Sequence, residues 1–344
     1  MDLQDKLKQY LEKRLNTQVE IQDFISLSGG GGACQDNYSL RLEVSSGEWE
    51  GTHELVMRTD KGASLYASIS KKDEFRVTSI AHERGVKTPR PYWLEEDGSY
   101  TGNPFFVMQR INGKANGRYL VKDRTIEKAR KNLPHELAEN LAKIHSIQPT
   151  DCKEEDLHKV LGAGRKLDKD YAADEIKTLR EEVAKLKEPH PAIELILNWA
   201  EKNKPEVNEI VLVHGDFRTG NFMVSENGLE GILDWEFAHW GEPYEDIAWL
   251  CMRDWRFGRL NKEAGGICTR KEFYDLYSKY AKEPVDANRV LFWEVIGNLR
   301  WAIGSVGQAE RHLSGKDRGI ELAAIGRRSC EMEFEAMRLI ENAG

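Results

Sequence analysis

Three oxygen-bearing side chains, Asp216, Asn221 and Asp234, could together carry out phosphoryl transfer. Asp216 and Asn221 lie in a polar loop that follows the apolar run at residues 210–213, and Asp234 ends a later apolar segment. Amide and carboxylate oxygens suit a hard divalent cation, and Mg²⁺ bound by few protein groups keeps waters that a phosphate can replace. A further carboxylate beside the cation can accept the proton of an attacking hydroxyl. Metal ligands, a base and fixed positive charge are what phosphoryl transfer requires of a protein.

A hairpin is predicted to bring two of these side chains together. The dipeptide Asn227-Gly228 separates two short apolar segments, and it is typical of a type I′ turn because both central positions need positive φ. With these two residues as the loop, Asn221 would face Asp234. Directly opposed residues point to the same side of an antiparallel pair, with Cβ atoms about 4.5 to 5.5 Å apart. The sequence therefore predicts one Mg²⁺ site at the open end of the hairpin, beside Asp216.

Two segments of this region resemble a known family. The words HGDFRTGNF at residues 214–222 and ILDWEFAHWGEP at residues 232–243 are similar to the aminoglycoside phosphotransferase family, which includes choline-kinase-like and other small-molecule kinases. The resemblance implies transfer of the γ-phosphoryl group of ATP with Mg²⁺ as cofactor. It also implies that Asp216 is the base, that Arg218 neutralises the transferring group and that His214 anchors the loop. Within the family, the chain most resembles the kinase portion of acyl-CoA dehydrogenase 10/11-type proteins, some of which phosphorylate hydroxyacyl-CoA.

The resemblance covers nearly the whole chain and implies an α+β, protein-kinase-like fold of two lobes. A small lobe with an antiparallel sheet, residues 1–113, would bind the nucleotide. Residues 1–17 of this lobe are predicted to form a helix, because the apolar residues Leu3, Leu7, Leu11 and Leu15 repeat every four positions. A mainly helical lobe, residues 114–344, would carry the catalytic residues and bind the acceptor. In this second lobe, the apolar spacing predicts a helix that begins at Asn132 and Pro134 and ends near His145, a partner for the helix dipole.

A run of glycines at residues 29–32 separates two predicted strands. The backbone of a glycine-rich hairpin can approach a ligand closely because no Cβ intervenes. By resemblance, Gly30, Gly31 and Gly32 would cover the phosphates of ATP. A flexible surface loop is the alternative interpretation, and the run does not have the GxGxxG form of protein kinases.

The predicted third strand, residues 53–58, ends in Arg58, where the resemblance implies a lysine that holds the α- and β-phosphates. Arginine can bind two phosphate oxygens, although its geometry differs from that of a lysine. Lys61 is the rival for this role, and a surface position for Arg58 is the other alternative. Glu74, in a helix predicted to begin near Ser70, would orient Arg58 through an ion pair. The alternative for Glu74 is a solvated residue favoured by the helix dipole.

The apolar strand at residues 104–111 is followed by Asn112-Gly113. By resemblance this segment is the connection between the lobes. Main-chain groups of Met108, Gln109 and Arg110 would then meet the edge of the adenine.

Composition excludes several classes of protein. Among 344 residues, 40% are hydrophobic and 31% are charged, as in an ordinary soluble globular protein. The net charge of −8 argues against a nucleic-acid partner, since such binding depends on clustered Lys and Arg. No apolar run approaches the roughly 18 to 20 residues that cross a bilayer, and no secretory signal is evident. Five scattered cysteines without a CxxC pair indicate reduced thiols in a cytoplasmic protein.

The acceptor is less well defined than the reaction. Residues 298–330 contain six Lys or Arg against three Asp or Glu, and the C-terminal helices are rich in tryptophan. A basic, tryptophan-lined pocket favours an anionic acceptor, such as a hydroxy acid or a hydroxyacyl-CoA. An aminoglycoside kinase, whose acceptor would require carboxylates, is one alternative. A nucleotide-binding regulatory pseudokinase and a metal hydrolase are alternatives of other classes, and the sequence leaves the oligomeric state and the use of GTP open.

Overall fold

The computed structural model describes residues 2–27, 35–60, 68–315 and 319–343. The N-terminal part contains one antiparallel sheet of five strands in the order β1-β2-β3-β5-β4. Its elements are α1 (Leu3–Leu15), β1 (Val19–Ser26), β2 (Gln35–Val44), β3 (Gly51–Asp60), α2 (Lys71–Glu83), β4 (Pro91–Glu95) and β5 (Phe105–Gln109).

Helix α1 covers one side of this sheet. Its N-cap is Asp2, whose side chain accepts a hydrogen bond from the Asp5 amide, and such a cap satisfies an otherwise unpaired donor. Leu7 and Leu11 are fully buried in a core that also contains residues of the sheet. The predicted helix with an apolar residue every four positions is therefore confirmed.

Helix α2 begins as predicted at Ser70, whose hydroxyl accepts from the Asp73 amide at 3.2 Å. Its apolar side is packed differently from that of α1. Val77 and Ala81 are fully buried in the large core formed mainly by the C-terminal helices, not in the core of the sheet. Thus α2, which lies between two sheet strands in the chain, packs against strands β4 and β5 and also contributes to the core of the helical part.

The C-terminal part is mainly helical. Its elements are α3 (Gly117–Lys122), α4 (Glu127–His145), α5 (Glu155–Gly162), α6 (Tyr171–Val183), α7 (Pro191–Asn203), β6 (Val211–Val213), β7 (Phe222–Ser225), β8 (Gly228–Ile232), β9 (His239–Gly241), α8 (Tyr244–Cys251), α9 (Arg270–Ala281), α10 (Ala287–Leu313), α11 (Ile320–Gly326) and α12 (Ser329–Ala343). Within the described parts of the chain, no helix combines the length and apolar character that spanning a membrane requires.

The predicted start of α4 is wrong. The helix begins at Glu127, and Pro134 lies inside it. An interior proline removes a backbone hydrogen bond and disfavours a helix. Leu133, Leu137 and Leu141 are nonetheless buried in the large core, so packing of this apolar side outweighs the local cost.

The predicted register of the β7–β8 hairpin is also wrong. Ser225 pairs with Gly228, so the loop consists of residues 226 and 227, and the pairing shifts between Met223 and Val224. This shift is a β-bulge, in which one strand contributes an extra residue. Gly228 still needs to be glycine, because its φ is +124° and a Cβ there would lie 2.6 Å from a carboxylate oxygen of α4.

Candidate active site

The side chain of Asp246, in α8, holds the polar loop after β6 in place. This fully buried carboxylate accepts hydrogen bonds from the backbone amides of His214 at 2.7 Å and Gly215 at 3.0 Å. His145 contacts it at 3.2 Å and also contacts the Tyr277 hydroxyl at 2.8 Å. His145 is therefore part of this brace, a role different from the predicted dipole partner.

His214 connects the loop to the end of the hairpin. Its Nδ1 accepts from the Asp216 amide at 3.2 Å, so its Nε2 carries the proton and donates to the Leu233 carbonyl at 3.1 Å. Burial lowers the pKa of His214, although nearby carboxylates oppose this effect. A neutral ring with both nitrogens engaged anchors the loop and is not available as a base.

Gly215 allows the loop to pass close to the segment after the hairpin. Its φ is +80°, and a Cβ at this position would lie 2.2 Å from the Phe237 carbonyl oxygen. Only glycine combines this backbone conformation with the space available.

The carboxylate of Asp216 is held by three side chains. Its Oδ1 accepts from Arg218 Nε at 2.8 Å and from Trp249 Nε1 at 2.8 Å. Its Oδ2 accepts from Asn221 Nδ2 at 2.6 Å and lies 3.0 Å from Arg218 Nε. The structure thus brings together Asp216, Arg218 and Asn221, which the sequence singled out. Trp249 was missed, because the sequence shows that a partly buried indole N–H needs an acceptor but not which one.

Trp249 belongs to a row of indoles that leads away from the loop. Trp249 and Trp255 have ring centroids 5.8 Å apart, and Trp255 and Trp301 have theirs 5.9 Å apart. We call these three residues the tryptophan row. The guanidinium of Arg218 lies 4.5 Å from the ring of Trp255, a cation–π contact that fixes its position beside Asp216.

Asn221 and Asp234 lie at the same end of the hairpin but do not form the predicted pair. The Leu233 amide donates to the Asn221 carbonyl at 2.8 Å, so Asn221 faces Leu233. Asp234 follows at φ +71°, a left-handed conformation that Asp tolerates better than most residues. The loop at residues 226–227 moves the partner of Asn221 by two positions, from Asp234 to Ile232, and the extra residue of the bulge restores one of them.

The oxygens of these two side chains suit a hard cation. Asn221 uses its Nδ2 as a donor to Asp216, and within residues 2–27, 35–60, 68–315 and 319–343 no hydrogen bond uses its Oδ1. Asp234 accepts from Arg58 with Oδ1, and no hydrogen bond among the described residues uses its Oδ2. An amide oxygen and a carboxylate oxygen fit Mg²⁺, which retains several waters. The described part of the chain contains no cluster of three or more His, Cys, Asp and Glu that could hold a metal.

Arg58 connects the sheet to this site. Its Nη2 donates to Asp234, and its Nε lies 2.6 Å from Glu74 Oε1, although that N–H is not aligned with the oxygen. The expected pairing of Arg58 with Glu74 is thus present. Lys71, which the sequence analysis missed, is buried with its Nζ 2.6 Å from Glu74 Oε2 and 3.2 Å from Asp60. Glu74 therefore lies between two cations.

Glu236 is a further carboxylate that the sequence analysis did not single out. It is buried, two residues after Asp234. Burial and the negative charge of Asp234 raise the pKa of Glu236 to about 8. At neutral pH its side chain is therefore mostly protonated, which limits the negative charge around Asp234. The only sequence signal was an acidic residue inside the Asp-Trp-Glu motif.

A cavity of about 320 Å³ lies between the sheet and the hairpin. Residues from both parts of the protein line it, among them Arg58, Glu74, Met108, Gln109, Arg110 and Asp234. Hence the predicted nucleotide-binding residues of the sheet share one cavity with the predicted metal ligand Asp234. Gly30, Gly31, Gly32 and Lys61 lie outside the described residues.

The segment that was predicted to contact the adenine has two of its amides engaged. The Gln109 amide donates to the Arg90 carbonyl at 2.8 Å, and the Arg110 amide donates to the Glu54 carbonyl at 3.1 Å. In the described part of the chain, the amide of Ile111 makes no hydrogen bond. A nucleotide in this cavity could therefore accept from Ile111, one position beyond the predicted residues, and donate to a carbonyl of the segment.

Two of the six cations counted in residues 298–330 are paired with carboxylates. Arg300 lies 2.7 Å from Glu175 and 2.7 Å from Glu245, both buried. Arg328 bonds to Asp254. These two cations are therefore neutralised, which a count of charges in the sequence does not show.

Comparisons with known proteins agree with this geometry. A family model described as the phosphotransferase enzyme family matches residues 30–282. Acyl-CoA dehydrogenase family member 10 of Mus musculus is 27% identical over 261 residues, which is 72% of this chain and 22% of that protein. The chain thus spans less than a quarter of the length of this relative.

Two solved structures share the fold. One is a Ralstonia eutropha protein assigned to the aminoglycoside phosphotransferases, with a TM-score of 0.71, 20% identity and coverage of 98% of each chain. The other is the choline kinase LicA of Streptococcus pneumoniae, with a TM-score of 0.60, 15% identity and coverage of 97% and 99%. The predicted two-lobed, protein-kinase-like fold is thereby confirmed.

Proposed function

The chain belongs to the phosphotransferase enzyme family, and we propose that it transfers the γ-phosphoryl group of ATP, with Mg²⁺, to a hydroxyl of a small molecule. One observation carries this proposal. Asp216 is hydrogen-bonded to Arg218 and Asn221 at one end of the hairpin, where Asp234 is paired with Arg58 of the sheet. A base, two cations and two candidate metal ligands thus converge on the cleft, as phosphoryl transfer requires.

Asp216 accepts the proton of the acceptor hydroxyl in this mechanism. Both of its oxygens contact Arg218 Nε, so Arg218 must turn away before a hydroxyl can reach the carboxylate. The guanidinium would then face the transferring phosphoryl group. Positive charge placed in advance where negative charge develops is usually the largest contribution to catalysis.

Asn221 and Asp234 would hold Mg²⁺ through the amide Oδ1 and the carboxylate oxygens. When bound there, the ion would supply positive charge that offsets the charge of the phosphates. Asp234 already faces a cation, because Arg58 contacts its Oδ1. When nucleotide and metal enter, Arg58 would leave Asp234 and bind the phosphates, while Glu74 keeps it in place.

The proposed acceptor rests on a comparison with a relative, and two observations of the structure bear on it. The similarity to an acyl-CoA dehydrogenase family member supports a hydroxyacyl-CoA or a hydroxy acid. Internal pairing of Arg300 and Arg328 removes part of the charge argument for such anions. An aminoglycoside is less well supported, because Asp254 at the tryptophan row is already bonded to Trp301 and Arg328.

ATP consumption measured over four acceptor classes tests the proposal: hydroxy acids, their CoA esters, choline-type alcohols and aminoglycosides. We expect turnover with at least one class, its loss in Asp216→Asn, and retention of MgATP binding by that variant in calorimetry. The Asp254→Asn variant, which alters a carboxylate of the tryptophan row, is the matched control. MgATP binding without turnover would favour a regulatory nucleotide-binding protein, and turnover without ATP would favour a metal hydrolase.

A further inference from the structure

We infer that Trp249 is a positioning residue that holds the carboxylate of Asp216 in the orientation for proton transfer. This inference rests on the proposed function, since it concerns the base of that reaction. The indole Nε1 of Trp249 donates to Asp216 Oδ1 at 2.8 Å. A hydrogen bond to an ionised acceptor is stronger and more directional than a neutral one.

Trp249 is a donor that can stay in place during the reaction. Arg218 spans both oxygens of Asp216 through one N–H and has to leave so that the hydroxyl can enter. Asn221 then holds Oδ2, and Trp249 is the remaining donor to Oδ1 among the residues that the structure describes. Without its N–H, the carboxylate could rotate about its Cβ–Cγ bond as soon as Arg218 departs.

Helix α8 gives Trp249 a fixed relation to the loop. Asp246 and Trp249 are three residues apart in this helix and so lie on one side of it. Asp246 holds the backbone amides of His214 and Gly215, while Trp249 holds the side chain of Asp216. Helix α8 therefore positions both the backbone of the loop and the carboxylate of Asp216.

Helix α10 packs against the indole ring of Trp249. A Cβ at Gly297 would lie 3.3 Å from Cε3 of Trp249 and 3.1 Å from the sulfur of Met252. This is tighter than ordinary van der Waals contact. The absence of a side chain at Gly297 thus allows the ring to pack directly against the helix, and its N–H edge is turned to Asp216.

The experiment uses the full chain, Trp249→Phe and Trp301→Phe. Phenylalanine keeps an aromatic ring and removes the N–H. Trp301 is the matched control, because its Nε1 also donates to a carboxylate at 2.8 Å, that of Asp254. The probe reaction is hydrolysis of MgATP with water as acceptor, so that no acceptor has to be known. We expect kcat of Trp249→Phe to fall about tenfold with an unchanged KM for ATP, and Trp301→Phe to retain the wild-type kcat.

A spectroscopic measurement tests the contact without turnover. In protein with ¹⁵N-labelled tryptophan, the indole N–H signal of Trp249 is the one absent from Trp249→Phe. We expect Asp216→Asn to shift this signal and Asp254→Asn to shift that of Trp301 instead. An unshifted Trp249 signal in Asp216→Asn would overturn the inference.

The outcomes also separate the inference from the proposed function. Full activity of Trp249→Phe in a protein that needs Asp216 would overturn the positioning role alone. An equal rise in KM and fall in kcat in both tryptophan variants would show a structural role and overturn it as well. A wild-type protein that binds MgATP but turns it over with neither water nor any of the four acceptor classes would overturn the proposed function together with this role.

Discussion

Replacing Arg58 by methionine should change the affinities for ATP and for Mg²⁺ in opposite directions. Methionine has a similar length and no charge. Removing one partner of a buried ion pair typically costs about 3–5 kcal/mol. Here Glu74 keeps Lys71 at 2.6 Å, and the Asp234 side chain is 29% exposed. We therefore expect the free energy of unfolding to fall by about 1–3 kcal/mol.

The effect on ATP follows from losing the proposed contact of Arg58 with phosphate. A hydrogen bond to a charged group contributes about 1.5–3 kcal/mol, so Kd for ATP should rise about 10- to 100-fold. Mg²⁺ without nucleotide should bind more tightly, since Asp234 no longer faces a competing cation. Calorimetry measures both affinities, and urea unfolding measures the stability.

Arg41→Met is the matched control, because Arg41 lies on the neighbouring strand and pairs with Glu54 while 44% exposed. Exposed pairs contribute little, so its stability and both affinities should stay near those of the wild type. Unchanged ATP affinity in a folded Arg58→Met variant would refute the phosphate role of Arg58. Weaker Mg²⁺ binding would refute the competition between Arg58 and the metal for Asp234.

Three further outcomes are expected. Gly215→Ala should lower the free energy of unfolding by more than about 2 kcal/mol and abolish turnover, whereas Gly85→Ala, at a similar φ of +76° but with open space, should cost about 1 kcal/mol by urea unfolding. Removal of Mg²⁺ with EDTA should abolish ATP consumption, and added Mg²⁺ should restore it; activity that persists in EDTA would contradict the metal site. Burial alone would raise the pKa of Glu245, but Arg300 and His239 outweigh it and hold the pKa below its usual value of 4.5. The associated stability is present above about pH 4.5 and lost as the pH falls below it, so Glu245→Gln should be less stable at pH 7 and lose less between pH 5 and 3 in thermal unfolding.

Features with a local cause could be predicted from the sequence. The spacing of Leu7 and Leu11 predicted α1, and the hydroxyl of Ser70 predicted the start of α2, because both depend on neighbours in the same helix. The polar loop with Asp216 and Asn221 was recognisable for the same reason: its residue types and spacing lie within a few positions.

Features that depend on distant residues could not be predicted. The Asn227-Gly228 signal was correct in kind, but the loop lies one residue earlier, at residues 226–227, and a bulge then changes the pairing again. The contacts of Lys71 and Trp249 with carboxylates could not be predicted, because nothing in the sequence shows which partners they meet in the folded chain. The sequence did not show that a carboxylate neutralises Arg300, because its partner Glu175 is 125 residues away.

The pairing of Arg58 with Asp234 has a consequence for how the cleft moves. Arg58 belongs to the sheet, whereas Asp234 follows the hairpin of the helical lobe, so this ion pair crosses the cleft. Glu74 lies on α2, which packs against strands β4 and β5 of the same sheet. A swing of the sheet that widens the cleft would therefore separate Arg58 from Asp234 before it separates Arg58 from Glu74. The Arg58–Asp234 separation is thus a built-in gauge of closure.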